Sequence, residues 1–396
     1  MESAVSYGVL GQAQKRLNAS PNMSRSLLLN LLAVRGAGQE TRARAFLARF
    51  RRYDSDSRLV ILKVRNQMTD LPIPPGVTEV IELPLISGRF QAIHRMLWES
   101  TRLGALCQAR AIDVYLTFSH FLPANVTVPT RIVGVSNLAP FSEIALRLAD
   151  PADHLRLRLL KITIIRAAKR ATSVIALSKA CKERLAENGV DAGKVVVISN
   201  GSDSLSDPPI VRREDFMLCV SHFYTYKNFE LLVKAFAALP RDVKARHPLL
   251  IVGPPIQFKY FQMIQSMVNE LSPQREMQLI AGLPRDQLSA LYARCAVFVF
   301  PSLVENCPNV LLEAMSAGCA CLVSDAQPMP EFGGNAVSYF DPQDHNALTK
   351  LLAKVLNDAP ERLRLGSLAR IQVGKFTWDK FVQSVVAIYR CPATMN

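Results

Sequence analysis

Apolar residues fall along this chain in short runs separated by amphipathic stretches, a pattern that predicts strands alternating with helices. The first run, residues 26–33 (SLLLNLLA), reads as a strand buried on both faces, and a helical pattern follows over 40–51. Further strands are predicted at 59–64, 78–83, 111–117, 130–135, 173–177 and 195–199, with helices over 90–110 and 156–171. A Ser-, Asp- and Pro-rich stretch at 200–209 reads as a linker. The alternation then restarts, with strands at 216–221, 248–252, 277–281, 297–301 and 320–324 and helices at 229–239, 257–271, 285–293 and 308–317.

That order predicts an α/β fold of two Rossmann-like domains, 26–208 and 209–375, whose parallel sheets face a central cleft. Residues 1–25 are expected to form a polar extension. Residues 376–396 should supply a C-terminal helix that packs back across the domain junction. A chain of 396 residues suits two such cores.

Composition narrows the class. The chain is 49% hydrophobic and 20% charged, which excludes global disorder. Its eight cysteines form no Cys-x2-Cys pair and lie in apolar stretches, as expected of reduced, buried thiols rather than a disulfide framework or zinc site. No run of 18 apolar residues is present, and Glu2 with no basic-then-apolar tract argues against a signal peptide. A soluble cytosolic protein is the expectation.

The chemistry concentrates in 297–324. A strand ends at Pro301, and Glu305 follows on the loop beyond its carboxyl end. Pro308 suits a first helical turn and Gly318 the position after the last, so Glu313 falls in the second turn. Carboxylates accept hydrogen bonds from vicinal hydroxyls, and amides near Asn309 at the helix start can face an anion. Spacing alone equally allows a solvated loop acid and an ordinary helix-surface acid. A second element, Cys219-Val-Ser-His222-Phe-Tyr-Thr-Tyr-Lys227, joins a strand to a helix and places a cation at the cleft edge. Gly36-Ala-Gly38 follows the first strand, where a plain strand–helix turn is the competing reading.

Pro301-Ser-x2-Glu305-x2-Pro-x4-Glu313-Ala-Met-x2-Gly318 resembles the Glu-x7-Glu signature of retaining family 4 glycosyltransferases, which have the GT-B architecture. Leu250-Ile-Val-Gly253, Ile280-Ala-Gly282, Leu288-x2-Leu-Tyr292, Phe340-Asp-Pro342, Thr377-Trp-Asp379, Ala171 to Ser178 and Ile198-Ser-Asn-Gly201 fall in the family's order. The resemblance covers about residues 26–390 and is greatest to members acting on bacterial surface polysaccharides, lipopolysaccharide among them. It implies that Glu313 binds donor ribose, that Glu305 contacts the donor sugar, and that Asn306, Asn309 and Val310 offer main-chain amides. It also places Gly253 and Gly282 beside the donor. Lys227 matches a family Lys that neutralises the leaving diphosphate, while His222 and Ser221 stand where an Arg and a Gly are usual. Ser136-Asn137 replaces a frequent His-Asp pair, leaving Asn137 or a backbone carbonyl as a sugar contact, and His120 as another candidate. Gly36 and Gly38 match a loop that approaches donor phosphate or acceptor. Glu331 reads as structural.

The implied reaction is transfer of a sugar from a nucleotide-sugar to a saccharide or lipid-linked acceptor, by a front-face route. No His/carboxylate cluster at metal spacing accompanies these motifs, so neither a metal nor a cofactor is expected. A sugar-nucleotide epimerase or a non-catalytic binding module are the alternatives.

The charge bears on location. Residues 1–208 hold 28 Lys/Arg and 17 Asp/Glu, against 19 and 16 in the remainder. Residues 154–170 (HLRLRLLKITIIRAAKR) carry six Lys/Arg and no acid, though the cations spread around the helix. An anionic membrane surface, on the inner face of the cytoplasmic membrane, is the expected partner. Nucleic acid is not, for no nucleic-acid-binding motif is seen.

Overall fold

The computed structural model describes residues 24–390 except 35, 86, 87, 89 and 203–212. The proposed linker therefore lies largely outside the described residues, as does nearly all of the N-terminal extension.

The first sheet is built from β1 (Ser26–Asn30), β2 (Arg58–Val64), β3 (Val77–Leu83), β4 (Val114–Thr117), β5 (Thr130–Val135), β6 (Ser173–Ala176) and β7 (Val195–Val197). Its order is β3-β2-β1-β4-β5-β6-β7, all parallel. The helices between are α1 (Ala37–Tyr53), α2 (Gln91–Ala109), α3 (Glu143–Leu148), α4 (Pro151–Arg170) and α5 (Lys179–Glu187). The apolar run is central because it is covered on both faces: Leu27, Leu28 and Leu29 are fully buried.

The second sheet contains β8 (Met217–Val220), β9 (Leu249–Val252), β10 (Met277–Ile280), β11 (Val297–Phe300), β12 (Ala320–Ser324) and β13 (Ser338–Phe340), in the order β10-β9-β8-β11-β12-β13. Its helices are α6 (Phe229–Ala237), α7 (Arg241–Arg246), α8 (Phe258–Leu271), α9 (Arg285–Arg294), α10 (Asn309–Ser316), α11 (Met329–Gly333), α12 (His345–Leu356) and α13 (Ala359–Val373), and α14 (Trp378–Arg390) follows. In both sheets the chain winds outward from the first strand and then returns to its other side. Connections thus leave β1 and β4, and likewise β8 and β11, in opposite directions, which makes each pair a switch point where such sheets bind ligands.

Two compact units result. Among the described residues, one holds those of 24–136, Leu159–Asn200 and Trp378–Arg390; the other holds Asn137–Arg158 and those of 201–377. The C-terminal helix α14 belongs to the first unit and packs on α1. There Tyr389 and Arg390 converge on the fully buried Asp54, with Arg390 Nη2 at 2.6 Å from Asp54 Oδ1. Phe381 adds a ring contact to Phe118, 5.7 Å between centroids.

Several boundaries differ from the periodicity. The strand expected over 111–117 begins only at Val114, because the N–H groups of Ala111 and Ile112 return to Gln108 O and Cys107 O and close helix α2. The first strand stops at Asn30, and the buried Leu31 and Leu32 belong to a turn closed by Val34 N–H to Leu31 O at 3.0 Å. Helix α4 starts at Pro151, five residues before the apolar pattern becomes regular. The three-residue β13 is too short for periodicity to register.

Candidate functional site

The second switch point assembles Lys227 and Glu305. Beyond β8 the chain makes a tight turn, Thr225–Lys227, and Asn228 adopts a left-handed conformation with φ 59° before α6 begins. Beyond β11 it runs through Pro301–Pro308 to α10. Leu303 N–H donates to Tyr226 O at 2.9 Å, and Asn228 Nδ2 donates to Pro342 O at 2.8 Å. Ser324 Oγ donates to Ser302 O at 2.6 Å and fixes the second loop from beneath. Held this way, the Lys227 ammonium donates to the Glu305 carboxylate, with 12% of each side chain exposed. The ammonium also lies 5.4 Å from the Tyr226 ring centroid and 5.8 Å from that of Phe300.

His222 shares this environment. Loss of surrounding water lowers its pKa, the Lys227 charge lowers it further, and Glu305 opposes both. The imidazole therefore favours its neutral form, unlike the permanently charged Arg usual in the family at that place.

Glu313 lies in the second turn of α10 but faces a different set of groups. Burial raises its pKa, while Arg285 and Tyr292 draw it down. Arg285 opens α9 and Tyr292 lies near its end, so α9 provides the surroundings of this carboxyl. Sequence spacing could not reveal that arrangement. Asn306 is buried, and Asn309 and Val310 occupy the first two positions of α10. The Asn309 N–H is already donated to Cys307 O at 2.9 Å, and those of Leu311 and Leu312 go to Pro308 O.

The two glycines assigned to the donor side differ in their reasons. A Cβ on Gly253 would sit 1.7 Å from Ser221 O, so only glycine lets the exit of β9 pass the exit of β8. Gly282 is exposed at φ +118°, with nothing within 4 Å of a Cβ.

In the first unit, Gly36 has φ +82° and lies exposed at the start of α1, and Gly38 is in that helix's first turn. His120 follows β4, the strand beside β1. Burial and the Arg95 charge bring its pKa down to about 4, and its Nδ1 has no hydrogen-bond partner within the protein. Asn137 counts with the second unit, and its Oδ1 accepts from Ala139 N–H at 2.9 Å, capping its own turn.

Arg42, expected with Arg44, Arg49, Arg51 and Arg52 to add to a positive surface, is instead a buried arginine in mid-helix. Its Nε donates to Asn200 Oδ1 and its Nη1 to Ser136 Oγ, both at 2.8 Å, tying the exits of two strands together. Asp54-Ser55-Asp56 has Asp-x-Asp spacing, but Arg390 reaches both carboxylates, at 2.6 and 3.8 Å, as an ion-pair network. Among the described residues no group of three His, Cys, Asp or Glu is placed to hold a metal, and no helix is long and apolar enough to cross a membrane.

The two sheets and their switch points have close counterparts. HepE of Anabaena, in complex with UDP and glucose, superimposes with a TM-score of 0.69 over 92% of this chain and 99% of its own, at 17% identity. WaaG, a glycosyltransferase involved in lipopolysaccharide biosynthesis, superimposes with a TM-score of 0.71 over 91% and 99%, at 15% identity. The architecture is GT-B. Residues 204–372 match the glycosyl transferases group 1 family and residues 36–204 match glycosyltransferase family 4, so the chain belongs to the family 4 glycosyltransferases.

Among curated relatives, the serotype-specific mannosyltransferase WbdA of Escherichia coli is 31% identical over 166 residues, 42% of this chain and 20% of that protein. O-antigen chain mannosyltransferase B of Escherichia coli is 25% identical over 179 residues, 45% and 46%. The chain thus spans less than half the length of each of these two relatives.

Proposed function

We propose that this protein is a retaining hexosyltransferase that moves a sugar from a nucleotide-sugar donor to a saccharide or lipid-linked acceptor in bacterial surface-polysaccharide assembly. The observation that carries the reading is the Lys227–Glu305 pair at the β8/β11 switch point. When the sugar–phosphate bond breaks, negative charge grows on the departing diphosphate. An ammonium held by loops from two strands, in a site with little water, stabilises that charge without reorganising. Glu305, shielded by the same contacts, orients sugar hydroxyls and keeps Lys227 aimed. Neutral His222 donates one hydrogen bond to a phosphate oxygen. Glu313 accepts from the donor ribose, and the start of α10 borders the phosphates.

The departing diphosphate takes the acceptor proton on the same face of the sugar, so the anomeric configuration is kept and no metal is needed. The second unit binds the donor and the first presents the acceptor. The mannosyltransferase relatives favour a hexose and an O-antigen-like product. The basic first half favours work against an anionic membrane on the cytoplasmic side.

The experiment is a donor panel. Purified protein is mixed with each nucleotide-sugar, and binding is read by thermal shift, since a tight ligand stabilises the fold by mass action. Donors that bind are then offered lipid-linked and free saccharides, and the product's anomeric configuration is read by NMR. No transfer from any donor would return the protein to the binding-module class, and an inverted product would remove the retaining mechanism.

A further inference from the structure

A cavity in the second unit lies apart from the Lys227–Glu305 site. It holds about 300 Å3, and none of Lys227, Glu305, His222 or Glu313 lines it. Its wall is built from helix α3, the first turns of α6, Leu303 and the turn leading into α12, and every lining residue belongs to the second unit. Small-molecule sites run from about 300 to 1,000 Å3, so this one suits a ligand of monosaccharide size.

Three basic side chains line it: Arg147 from the last turn of α3, Lys234 from α6 and His345 from the first position of α12. None of the three side chains has an ion pair or hydrogen bond among the described residues. The single acid on the wall is Glu230. Its Oε2 accepts from the Tyr260 hydroxyl, and its Oε1 has no partner among the described residues. Helix α6 starts here without a side-chain cap, because the Asn228 amide goes to Pro342 O and Pro301 O, so the first turn adds its positive partial charge.

Two permanent cations and an imidazole against one carboxylate leave an excess of positive charge, which calls for an anion. A phosphate monoester carries about −1.5 to −2 at neutral pH and meets that need. The unengaged Glu230 oxygen calls for a hydroxyl donor. A phosphate and hydroxyls on a skeleton of this size describe a sugar phosphate.

We propose that this cavity is an effector site for a hexose monophosphate. The phosphate takes Arg147, Lys234 and His345, Glu230 accepts from a ring hydroxyl, and Leu231 and Leu303 cover the apolar side of the sugar. Two wall residues also belong to the frame of the Lys227–Glu305 pair. Asn228 directly follows Lys227 and donates to Pro301 O at 3.4 Å, and Leu303 N–H donates to Tyr226 O at 2.9 Å. A ligand packed on both orders the two loops before a donor arrives, so the donor loses less conformational freedom on binding. Binding of the sugar phosphate stands by itself; only its effect on transfer rests on the function proposed above.

The test is titration calorimetry of the full chain with glucose 6-phosphate, glucose 1-phosphate, mannose 6-phosphate and mannose 1-phosphate, with glucose and inorganic phosphate as controls. At least one sugar phosphate should bind saturably, about ten-fold or more tighter than either control. Arg147→Gln with Lys234→Gln should weaken that binding about ten-fold or more. Gln343→Trp, made at an exposed lining position, fills the cavity with both cations kept and should weaken it too. Lys227→Met should leave it unchanged, and unaltered thermal unfolding without ligand verifies that the variants fold. Hydrogen exchange over 224–228 and 303–307 should slow when the sugar phosphate is bound, and transfer should rise by about five-fold or more. The proposal is overturned if none of the four binds, if inorganic phosphate binds as tightly, or if the double variant or Gln343→Trp binds like wild type. Loss of binding in Lys227→Met, or exchange unaltered by a bound sugar phosphate, would overturn it as well. Binding at this cavity with no transfer from any donor would leave the site standing and remove the transferase reading, whereas transfer with no such binding would do the reverse.

Discussion

The Lys227 ammonium lies against the Glu305 carboxylate, one from the loop after β8 and the other from the loop after β11, although 78 residues separate them in sequence. Neither loop positions its charge alone: the Leu303–Tyr226 backbone bond joins them, and Asn228 Nδ2 also donates to Pro301 O at 3.4 Å. Replacing Lys227 by Met should lower transfer by about a hundred-fold or more. It should also cost about 3 kcal/mol of stability, because Glu305 is left shielded and unpaired. Lys227→Met with Glu305→Leu should recover part of that loss in urea denaturation. Strict additivity of the two single changes would show that the pair contributes nothing to the fold.

Glu313 should trade stability against binding. Its folded pKa is raised by burial, so the folded state binds its proton more tightly than the unfolded chain does. This group therefore favours folding below its unfolded value and disfavours it as pH rises through the folded pKa. Glu313→Gln should unfold at higher denaturant than wild type at neutral pH, with the gap closing in acid, and yet bind donor more weakly. Equal stability of the two proteins at both pH values would refute the linkage.

His120 carries the opposite sign. A histidine brought down to about 4 stays neutral in the fold while its unfolded counterpart takes a proton near 6.5. The stability it contributes is present above pH 6.5 and is lost as pH falls toward 4. His120→Gln should flatten the pH dependence of the urea midpoint in that window. NMR of the imidazole should find His120 titrating below an ordinary histidine.

Gly253→Ala should be among the most damaging single-methyl changes in the chain. The new Cβ would meet the Ser221 carbonyl oxygen at 1.7 Å, and backbone must move to admit it. A cost of about 2 kcal/mol or more is expected, with displacement of the adjoining His222. Circular dichroism melts and donor binding would read the two effects separately. An unchanged melting temperature would mean that the β8 and β9 exits part easily.

The fold was legible because a buried parallel strand has a simple sequence form, and runs such as SLLLN and VFVF admit few other readings. The Glu305 and Lys227 positions were legible as loop residues at strand ends. Their pairing was not, since a contact across 78 residues depends on which strands become neighbours. Arg42 shows the same gap: nothing local marks an arginine in mid-helix as the tie between Ser136 and Asn200. The surroundings of Glu313 come from α9, a helix whose pattern says only that it is amphipathic. Division of the chain was hidden for a related reason, because residues 137–158 are closer in space to the second unit than sequence order suggests.

Asp54 has its partners near the far end of the chain, on Tyr389 and Arg390. A ribosome releases the chain in one direction, so β1 and α1 emerge long before the helix that neutralises this buried carboxylate. Throughout synthesis of residues 201–377 the first unit must wait with Asp54 held only by the Ser57 N–H, without Tyr389 or Arg390, and with Phe118 lacking its Phe381 neighbour. The second unit can finish folding during that interval, and the first can close only afterwards. Completion of the first unit thus certifies that the whole second unit has been made, and a message cut short would yield a nascent product with an open flank for chaperones and proteases to find.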